Sequence, residues 1–368
     1  MKDPAVHIDR IYVDRKCADL PYTHEILKRG ANIPFEIIND QDLLALYATP
    51  YPENLSAGKK NLFLTVNQGA FYKPCPGTRE YQCCDYQVLN IGMNCPMDCV
   101  YCILQAYLNN PWISFFVNID DLLTELAAKL KTAAGNCARI GTGEFTDSLA
   151  LDRLTGLSKI LVRFMADKQN AVLELKTKSA VIANLEGIDH GGRTVVAWSL
   201  NASDIMKKEE IRTATLQERL EAAKTCASWG YKLAFHFDPI IYHPGWREGY
   251  EQTIKQLFET VPAEQIAWIS MGALRYLPAL KNIAGSRFPS SKFFYEEFIT
   301  GLDNKCRYFR TQRVELYKHI LARIKKRAAG STCIYLCMES DEIWQEVFGY
   351  TPGTKGGLGK MLDTAVNM

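Results

Sequence analysis

QVLNIGMNCPMDCVYC, residues 87–102, decides how this chain is read. Its first half, QVLNIGM, is a short apolar run bounded by polar residues, the pattern of a strand with little solvent exposure. Its second half sets Cys95, Cys99 and Cys102 at C-x3-C-x2-C spacing on the loop that leaves that strand. Closed structural metal sites take four protein ligands. An iron–sulfur cluster takes one thiolate per iron, so three cysteines leave one iron of a four-iron cluster open to a small molecule. A zinc site completed by Cys75, Cys83, Cys84 or a distant His is the alternative the spacing leaves standing.

Outward from that run the pattern repeats. Strand-like segments recur at ARIGTG (138–143), AVLELKTK (171–178), TVVAWSLN (194–201), YKLAFHFDPII (231–241) and QIAWISMGALR (265–275). Between them NIDDLLTELAAKLKTAAG, SLALDRLTGLSKILVRFMADK, TLQERLEAAKTCASWG and GYEQTIKQLFETV carry helical spacing with start and stop signals. Strands that alternate with helices require parallel pairing through right-handed crossovers. The predicted fold class is therefore α/β: a partial (β/α)6 TIM-type barrel, an eight-fold barrel's relative with a gap in its wall. Chemistry in such barrels sits on loops after the C-terminal strand ends. That rule gathers the cysteine loop, GTGEFTD with Glu144, Thr146 and Asp147, then Lys178, Ser199, Asn201 and the stretch Pro239 to His243 on one rim.

Residues 1–85 read as a small α/β N-terminal extension, with IYVDRK and PFEIIND as strands and HEILKRG as a helix. In the same extension LSAGKKNLFLTVNQG reads as a turn and a strand. Residues 86–285 hold the barrel and 286–368 a basic C-terminal extension. There TCIYLCM (332–338) reads as a final strand and the glycine-rich TPGTKGGLGK as a mobile loop. The latter's partial GxxxxGK likeness lacks a strand-to-helix frame, so it is not read as a phosphate loop.

A chain of 368 residues suffices for one large domain or two ordinary ones. With 47% hydrophobic and 23% charged residues it is globular, which excludes a disordered chain. A net charge of +2 argues neither for nor against a polyanionic partner, so that case rests on local charge. No apolar run approaches the ~18 residues of a membrane span, and MKDPAVHIDRIYVDRK lacks the apolar core of a secretory signal. A cytoplasmic location is expected, where thiols stay reduced. Twelve cysteines there point to metal or redox chemistry before disulfides. Cys17, Cys226 and Cys306 stand alone and suit small buried apolar positions.

The CxxxCxxC loop after the first strand of a partial barrel, with aromatic Tyr101 just before the third cysteine, resembles the signature of the radical S-adenosylmethionine superfamily. That resemblance implies a [4Fe–4S] cluster on Cys95, Cys99 and Cys102 whose open iron chelates S-adenosyl-L-methionine. It implies cleavage of that cofactor to a 5′-deoxyadenosyl radical, which abstracts hydrogen from substrate. A low-potential electron donor such as a flavodoxin or ferredoxin is implied with it. GTGE resembles the superfamily's GGE motif, which implies that Glu144 holds the cofactor's ammonium by a charge-assisted bond. Gly141 and Gly143 would allow close backbone approach. Lys178 and Ser199 are then placed to bind the cofactor's carboxylate or ribose, with Thr146 and Asp147 as weaker members of the set.

The likeness narrows to one branch. VYCILQ resembles the YCYLQ run of the spore photoproduct lyase family, which reverses a thymine dimer in spore DNA. GYKLAFHFDPIIYHPGWREGY (230–250) resembles that family's GYK…PI…H-x-GW-x-x-GY segment. TKS at Lys178, WSLN at Ser199 and Asn201, and LRY at Leu274 to Tyr276 fit it as well, so the likeness spans most of the chain.

Two positions depart from the family pattern. Glu144 stands where the family's hydrogen-donating cysteine follows the second strand, and Ile103 where a relay tyrosine follows the third cluster cysteine. A carboxyl O–H bond is too strong to give up a hydrogen atom readily, and Ile has no weak bond of use. Cys337 is the candidate replacement donor, and Tyr101 is the second candidate catalytic residue. The alternatives are a diverged radical enzyme with another substrate, or a zinc-stabilised nucleic-acid-binding protein without catalysis.

KPCPGTREYQCC and TCIYLCMES supply Cys75, Cys83, Cys84, Cys333 and Cys337, which the family pattern lacks. A second metal site, a redox-active thiol and inert structural residues all remain open. Adjacent Cys83 and Cys84 suit a single cluster poorly, because neighbours on a strand point apart.

Residues 305–327 hold Lys305, Arg307, Arg310, Arg313, Lys318, Arg323, Lys325, Lys326 and Arg327 against Glu315 alone, with Tyr308, Phe309 and Tyr317 interleaved. Such a run predicts salt-sensitive binding of DNA or another nucleic acid, with aromatics stacking on an extruded base. A solvated helix face is the plain alternative. His236 reads as a buried core residue and His243 as a rim residue.

Overall fold

The computed structural model of the protein describes residues 3–39, 42, 51–77, 80–132 and 137–366. In the first layer β1 (Arg10–Asp14) is flanked in parallel by β2 (Phe35–Ile38) and β3 (Asn61–Thr65). The helix Pro21–Arg29 joins β1 to β2. Next, β4 (Tyr72–Pro74) and β5 (Gln87–Leu89) pair antiparallel.

The run QVLNIGM then divides between two sheets. β5 stays with the barrel, whereas β6 (Gly92–Met93) turns away, followed by β7 (Asp98–Cys99). β8 (Ile113–Phe116) completes the first layer by pairing with both β3 and β6. Gly92 permits this junction, since a Cβ there would lie 2.3 Å from the Ser114 carbonyl oxygen.

The barrel continues through β9 (Ala138–Gly141), β10 (Ala171–Thr177) and β11 (Thr194–Ser199). A short β12 (Glu210–Ile211) pairs antiparallel with β7 across the cysteine loop. Then come β13 (Lys232–Ile240) and β14 (Ile266–Ala273). β15 (Arg275–Tyr276), β16 (Ile299–Thr300) and β17 (Cys306–Arg307) form a small side sheet. β18 (Cys333–Leu336) returns to the barrel beside β14.

The barrel sheet runs β18-β14-β13-β11-β10-β9-β5-β4. It is parallel from β5 to β18, with β4 antiparallel at the edge. All six expected strands are present, and TCIYLCM supplies a seventh parallel one. The sheets cross the segment boundaries read from sequence: β6 and β8 belong to the first layer, and β18 to the barrel.

Every residue of β11 and β14 is buried, as expected of parallel strands covered on both faces. The helix Leu216–Ser228 begins with a capping box in which Thr215 and Glu218 satisfy each other's backbone N–H groups. SLALDRLTGLSKILVRFM breaks into two helices, Asp152–Thr155 and Leu157–Met165, because Gly156 between them takes a left-handed φ of +64°. The Gly135 end of the NIDDLLTELAAKLKTAAG helix lies outside the described residues.

His236 is buried as expected. Its Nε2 lies 2.7 Å from Glu174 Oε1 and its Nδ1 2.7 Å from Ser270 Oγ, while Trp268 Nε1 donates to the same Glu174 oxygen at 3.0 Å. His236, Glu174, Ser270 and Trp268 thus form a satisfied polar cluster inside the barrel.

TPGTKGGLGK is not a free loop. Pro352–Lys355 form a helical turn and Leu358–Ala365 a helix. Leu358 and Leu362 are buried, and Arg139 reaches out from β9 to Asp363 and to the Gly359 carbonyl. The apolar spacing after the glycines outweighed their flexibility.

Candidate active site

The cysteine loop is clamped from several sides. Asn94 takes a left-handed φ of 68° and donates its amide to the carbonyls of Pro111 and Trp112, both at 3.3 Å. Cys99 lies on β7 opposite Glu210 of β12, and Gln105 Nε2 donates to the carbonyls of Cys99 and Val100 at 3.1 and 3.0 Å. Cys95 and Cys99 are buried and Cys102 half-buried, and all three line one end of a cavity of about 410 Å³. That volume is in the range of small-molecule sites.

Burial pushes the Cys95 thiol up to about 12 and the Cys99 thiol well above its ordinary value. The bare chain therefore keeps them protonated, and a metal centre that binds thiolates must displace those protons. Behind them lies Lys59, 1% exposed, whose Nζ donates to the Met97 carbonyl at 2.5 Å and sits 3.4 Å from Asp98 Oδ1. Burial alone would lower its pKa, but Cys95, Asp98, Cys102 and Cys99 outweigh that and raise it. A buried cation facing three thiols is what a thiolate-bound, anionic cluster requires. The donor set fits a [4Fe–4S] centre.

The middle of the cavity is built from strand ends. After β9, Glu144, Phe145, Thr146 and Asp147 line it. Asp147 ties this loop to β10 by accepting from Thr177 Oγ1 at 2.6 Å and from the Lys178 N–H at 2.7 Å. Lys176, Thr177 and Lys178 line the next side. Lys178 Nζ stands 5.6 Å from the centroid of the Tyr101 ring, a cation–π contact.

The Tyr101 hydroxyl is turned to Glu210, which forms a buried ion pair with Arg219. Arg219 Nη1 also donates to the Ser199 carbonyl at 2.7 Å, so this pair fixes the end of β11 where Ser199 faces the cavity. The glycines of GTGE also make room within the protein, and Gly143 lines the cavity. A Cβ on Gly141 would fall 1.2 Å from the Tyr86 hydroxyl, and one on Gly143 would fall 3.0 Å from the Lys176 carbonyl oxygen.

The far wall is a row of thiols. Cys75, Cys83, Cys84 and Cys337 all line the same cavity, with Lys176, Asp238, Arg275 and Lys305. Arg275 grips Asp238 with two 3.0 Å bonds and donates to Cys337 Sγ at 3.4 Å. Burial pushes Cys75 and Cys337 each up to about 12. The hydrogen bond from the Cys84 thiol takes Cys83 the other way, down to about 6. Lys176 stays charged: burial opposes this, but Glu144, Glu174 and Asp238 raise its pKa. Among the described residues no group of three His, Cys, Asp or Glu is placed to hold a single metal ion. Cys333 is buried and does not line the cavity.

All nine candidate residues, Cys95, Cys99, Cys102, Tyr101, Glu144, Thr146, Lys178, Ser199 and Cys337, thus meet around one cavity. Asn201 and His243 do not. Asn201 is buried against the Tyr250 hydroxyl at 2.5 Å, and His243 Nδ1 turns to the Pro244 carbonyl at 2.8 Å. Sequence reading missed Lys59 and gave Asp238 and Arg275 no role in the site. It also passed over Lys176, though the alternation in ELKTK places Glu174, Lys176 and Lys178 on one face.

The basic segment is only partly an open cationic surface: Lys318, Lys325, Lys326 and Arg327 are exposed, as is Phe309, while the other five cations are paired. Lys305 and Arg307 pair with Asp303, and Arg313 with Glu339 at 2.9 Å. Arg310 and Arg323 are held by Glu346 and Glu251. Tyr308 and Tyr317 are fully buried, so they cannot stack on a base. Acidic partners, one of them local and three distant in sequence, thus take up five of the nine cations.

Fold and site together define a radical S-adenosylmethionine enzyme. The family model for spore photoproduct lyase matches residues 9–329, and the chain belongs to that family. It is 24% identical to the spore photoproduct lyase of Bacillus subtilis (strain 168), over 86% of this chain and 91% of that one. It is 23% identical to the Clostridium acetobutylicum enzyme, over 77% of this chain and 83% of that one. A spore photoproduct lyase double mutant solved with AdoMet and dinucleoside spore photoproduct superposes with a TM-score of 0.79 at 20% identity, covering 90% of this chain and 98% of that one. This enzyme is of lyase type, and its cofactors are a [4Fe–4S] cluster and S-adenosyl-L-methionine. Among the described residues no helix is long and apolar enough to cross a membrane.

Proposed function

We propose that this enzyme cleaves a thymine-dimer lesion of the spore photoproduct type in DNA, with Cys337 returning the hydrogen atom to the product. The observation that carries this reading is one cavity lined both by the three cluster thiols and by Cys337, whose thiol burial keeps protonated. Membership of the family and the lesion bound in a related structure support the substrate class. When bound and reduced, the cluster supplies the electron that splits S-adenosyl-L-methionine to a 5′-deoxyadenosyl radical.

The chain's own residues hold and isolate that chemistry. Glu144 accepts from the cofactor's ammonium, while Lys178 and Ser199 engage its carboxylate and ribose, with Thr146 beside them. Tyr101 acts through its ring, which walls the cavity and steadies Lys178, because its hydroxyl is committed to Glu210.

A hydrogen-atom donor must keep its S–H bond at neutral pH. Cys337, pushed up to about 12, does so, whereas the hydrogen bond from Cys84 draws Cys83 the other way. Arg275 fixes the Cys337 sulfur. Transfer breaks that S–H bond and forms a C–H bond on the substrate radical, leaving a thiyl radical on Cys337. Soluble electron donors of the flavodoxin or ferredoxin kind suit the first step.

The test is an anaerobic incubation of reduced enzyme, S-adenosyl-L-methionine and dinucleoside spore photoproduct, read by chromatography. Thymine restoration supports the reading. Formation of 5′-deoxyadenosine without thymine would replace it with a diverged activity on another substrate. In the same assay Cys337→Ala is expected to form 5′-deoxyadenosine at near wild-type rate while thymine yield falls at least about tenfold, uncoupling the first step from the last. Loss on Cys75→Ala or Cys84→Ala instead would move the donor to that residue, since both thiols are also held above their ordinary value.

A further inference from the structure

Lys59 belongs to the N-terminal layer, just after the helical turn Leu55–Gly58. It nonetheless ends beneath the cluster loop of the barrel. Its position is rigid: a Cβ on the preceding Gly58 would lie 2.3 Å from Pro111, so backbone is pressed against backbone there. An ammonium 1% exposed is rare and costly unless something anionic stabilises it.

The carboxylate beside Lys59 is Asp98, whose Oδ1 lies 3.4 Å from Nζ. Asp98 is shared, because Arg287 Nη2 also donates to both its oxygens at 2.9 Å. The two cations, Lys59 and Arg287, face a single carboxylate. One positive charge is therefore left for the thiolates to balance. On the cavity side Lys178 faces Cys99 together with Glu210, and Asp147 faces Cys95.

We propose that Lys59 sets the reduction potential of the cluster, with Asp98 dividing its charge between Lys59 and Arg287. The inference rests on the cluster assignment above. Reduction adds one negative charge to the cluster, and a fixed buried cation stabilises the more negative state. Net charge around a cluster is one of the quantities that fixes its potential, and low local dielectric magnifies it. Lys59 is thus a tuning residue that acts through the cluster, and the N-terminal layer is part of the electron-transfer site.

The experiment is a potentiometric titration of the reconstituted cluster, followed by EPR, in wild type, Lys59→Met, Lys59→Arg and Asp98→Asn. Lys59→Met is expected to move the midpoint negative by about 59 mV or more, a tenfold change in the reduced-to-oxidised ratio of a one-electron couple. Lys59→Arg restores the wild-type midpoint, and Asp98→Asn moves it positive. Shifts of opposite sign are not produced by general loosening of the fold. An unchanged midpoint in Lys59→Met overturns the inference. Should Lys59→Met bind no iron, the sign of the Asp98→Asn shift decides: positive supports the inference, and zero or negative overturns it. Failure of the wild-type protein to bind a cluster at all would instead overturn the cluster assignment.

Discussion

Cys99→Ala is expected to leave a folded chain that holds no stable cluster and whose 5′-deoxyadenosine formation falls well beyond the hundredfold typical of outer-shell changes, about 100-fold being their upper range. Cys99 is buried on β7, held by pairing to β12 and by the Gln105 amide. Removing a sulfur deletes a ligand without disturbing those backbone bonds. Iron analysis and chromatography after anaerobic reconstitution provide the check. A variant that keeps about four irons per chain and full cofactor cleavage would show that these thiols are not the cluster ligands.

Breaking the Arg219–Glu210 pair is expected to give the largest loss of stability. Both side chains are 1% exposed or less, and Arg219 also bonds the carbonyls of Ser199 and Ala214. Arg219→Met strands a buried carboxylate, which costs about 3–5 kcal/mol.

The pH dependence has a definite sign. In the wild type, burial pushes the Glu210 carboxyl up, but Arg219, Lys178 and the Tyr101 bond outweigh it and hold it below its ordinary value. Its contribution is therefore present above the unfolded value of about 4.3 and is lost as pH falls through the folded value. In Arg219→Met the burial effect dominates, so the carboxyl protonates readily. The deficit against wild type should then shrink between neutral pH and about pH 4. Urea midpoints at the two pH values test this, and a deficit that does not change with pH would mean Glu210 is not the stranded charge.

Much of this was legible in the chain. Parallel strands buried on both faces announce themselves as apolar runs, and the barrel rule then gathers strand-end residues from distant segments onto one rim. That is why Glu144, Lys178 and Ser199 were found beside the three cysteines. Composition failed where the decisive partner was remote. The cationic run 305–327 gives no sign that Arg313, Arg310 and Arg323 are taken up by Glu339, Glu346 and Glu251. Lys59 sits in an ordinary KK pair, and nothing local distinguishes a lysine bound for the interior from one bound for solvent. The division of QVLNIGM was hidden for the same reason: Gly92 matters only because Ser114 comes to meet it.

The eight-stranded sheet ends at β4 on one side and β18 on the other. Cys75 directly follows β4 and Cys337 directly follows β18, so these thiols stand where the two edges of the sheet meet, bridged by the Gln82 N–H, which donates to the Glu339 carbonyl at 3.0 Å.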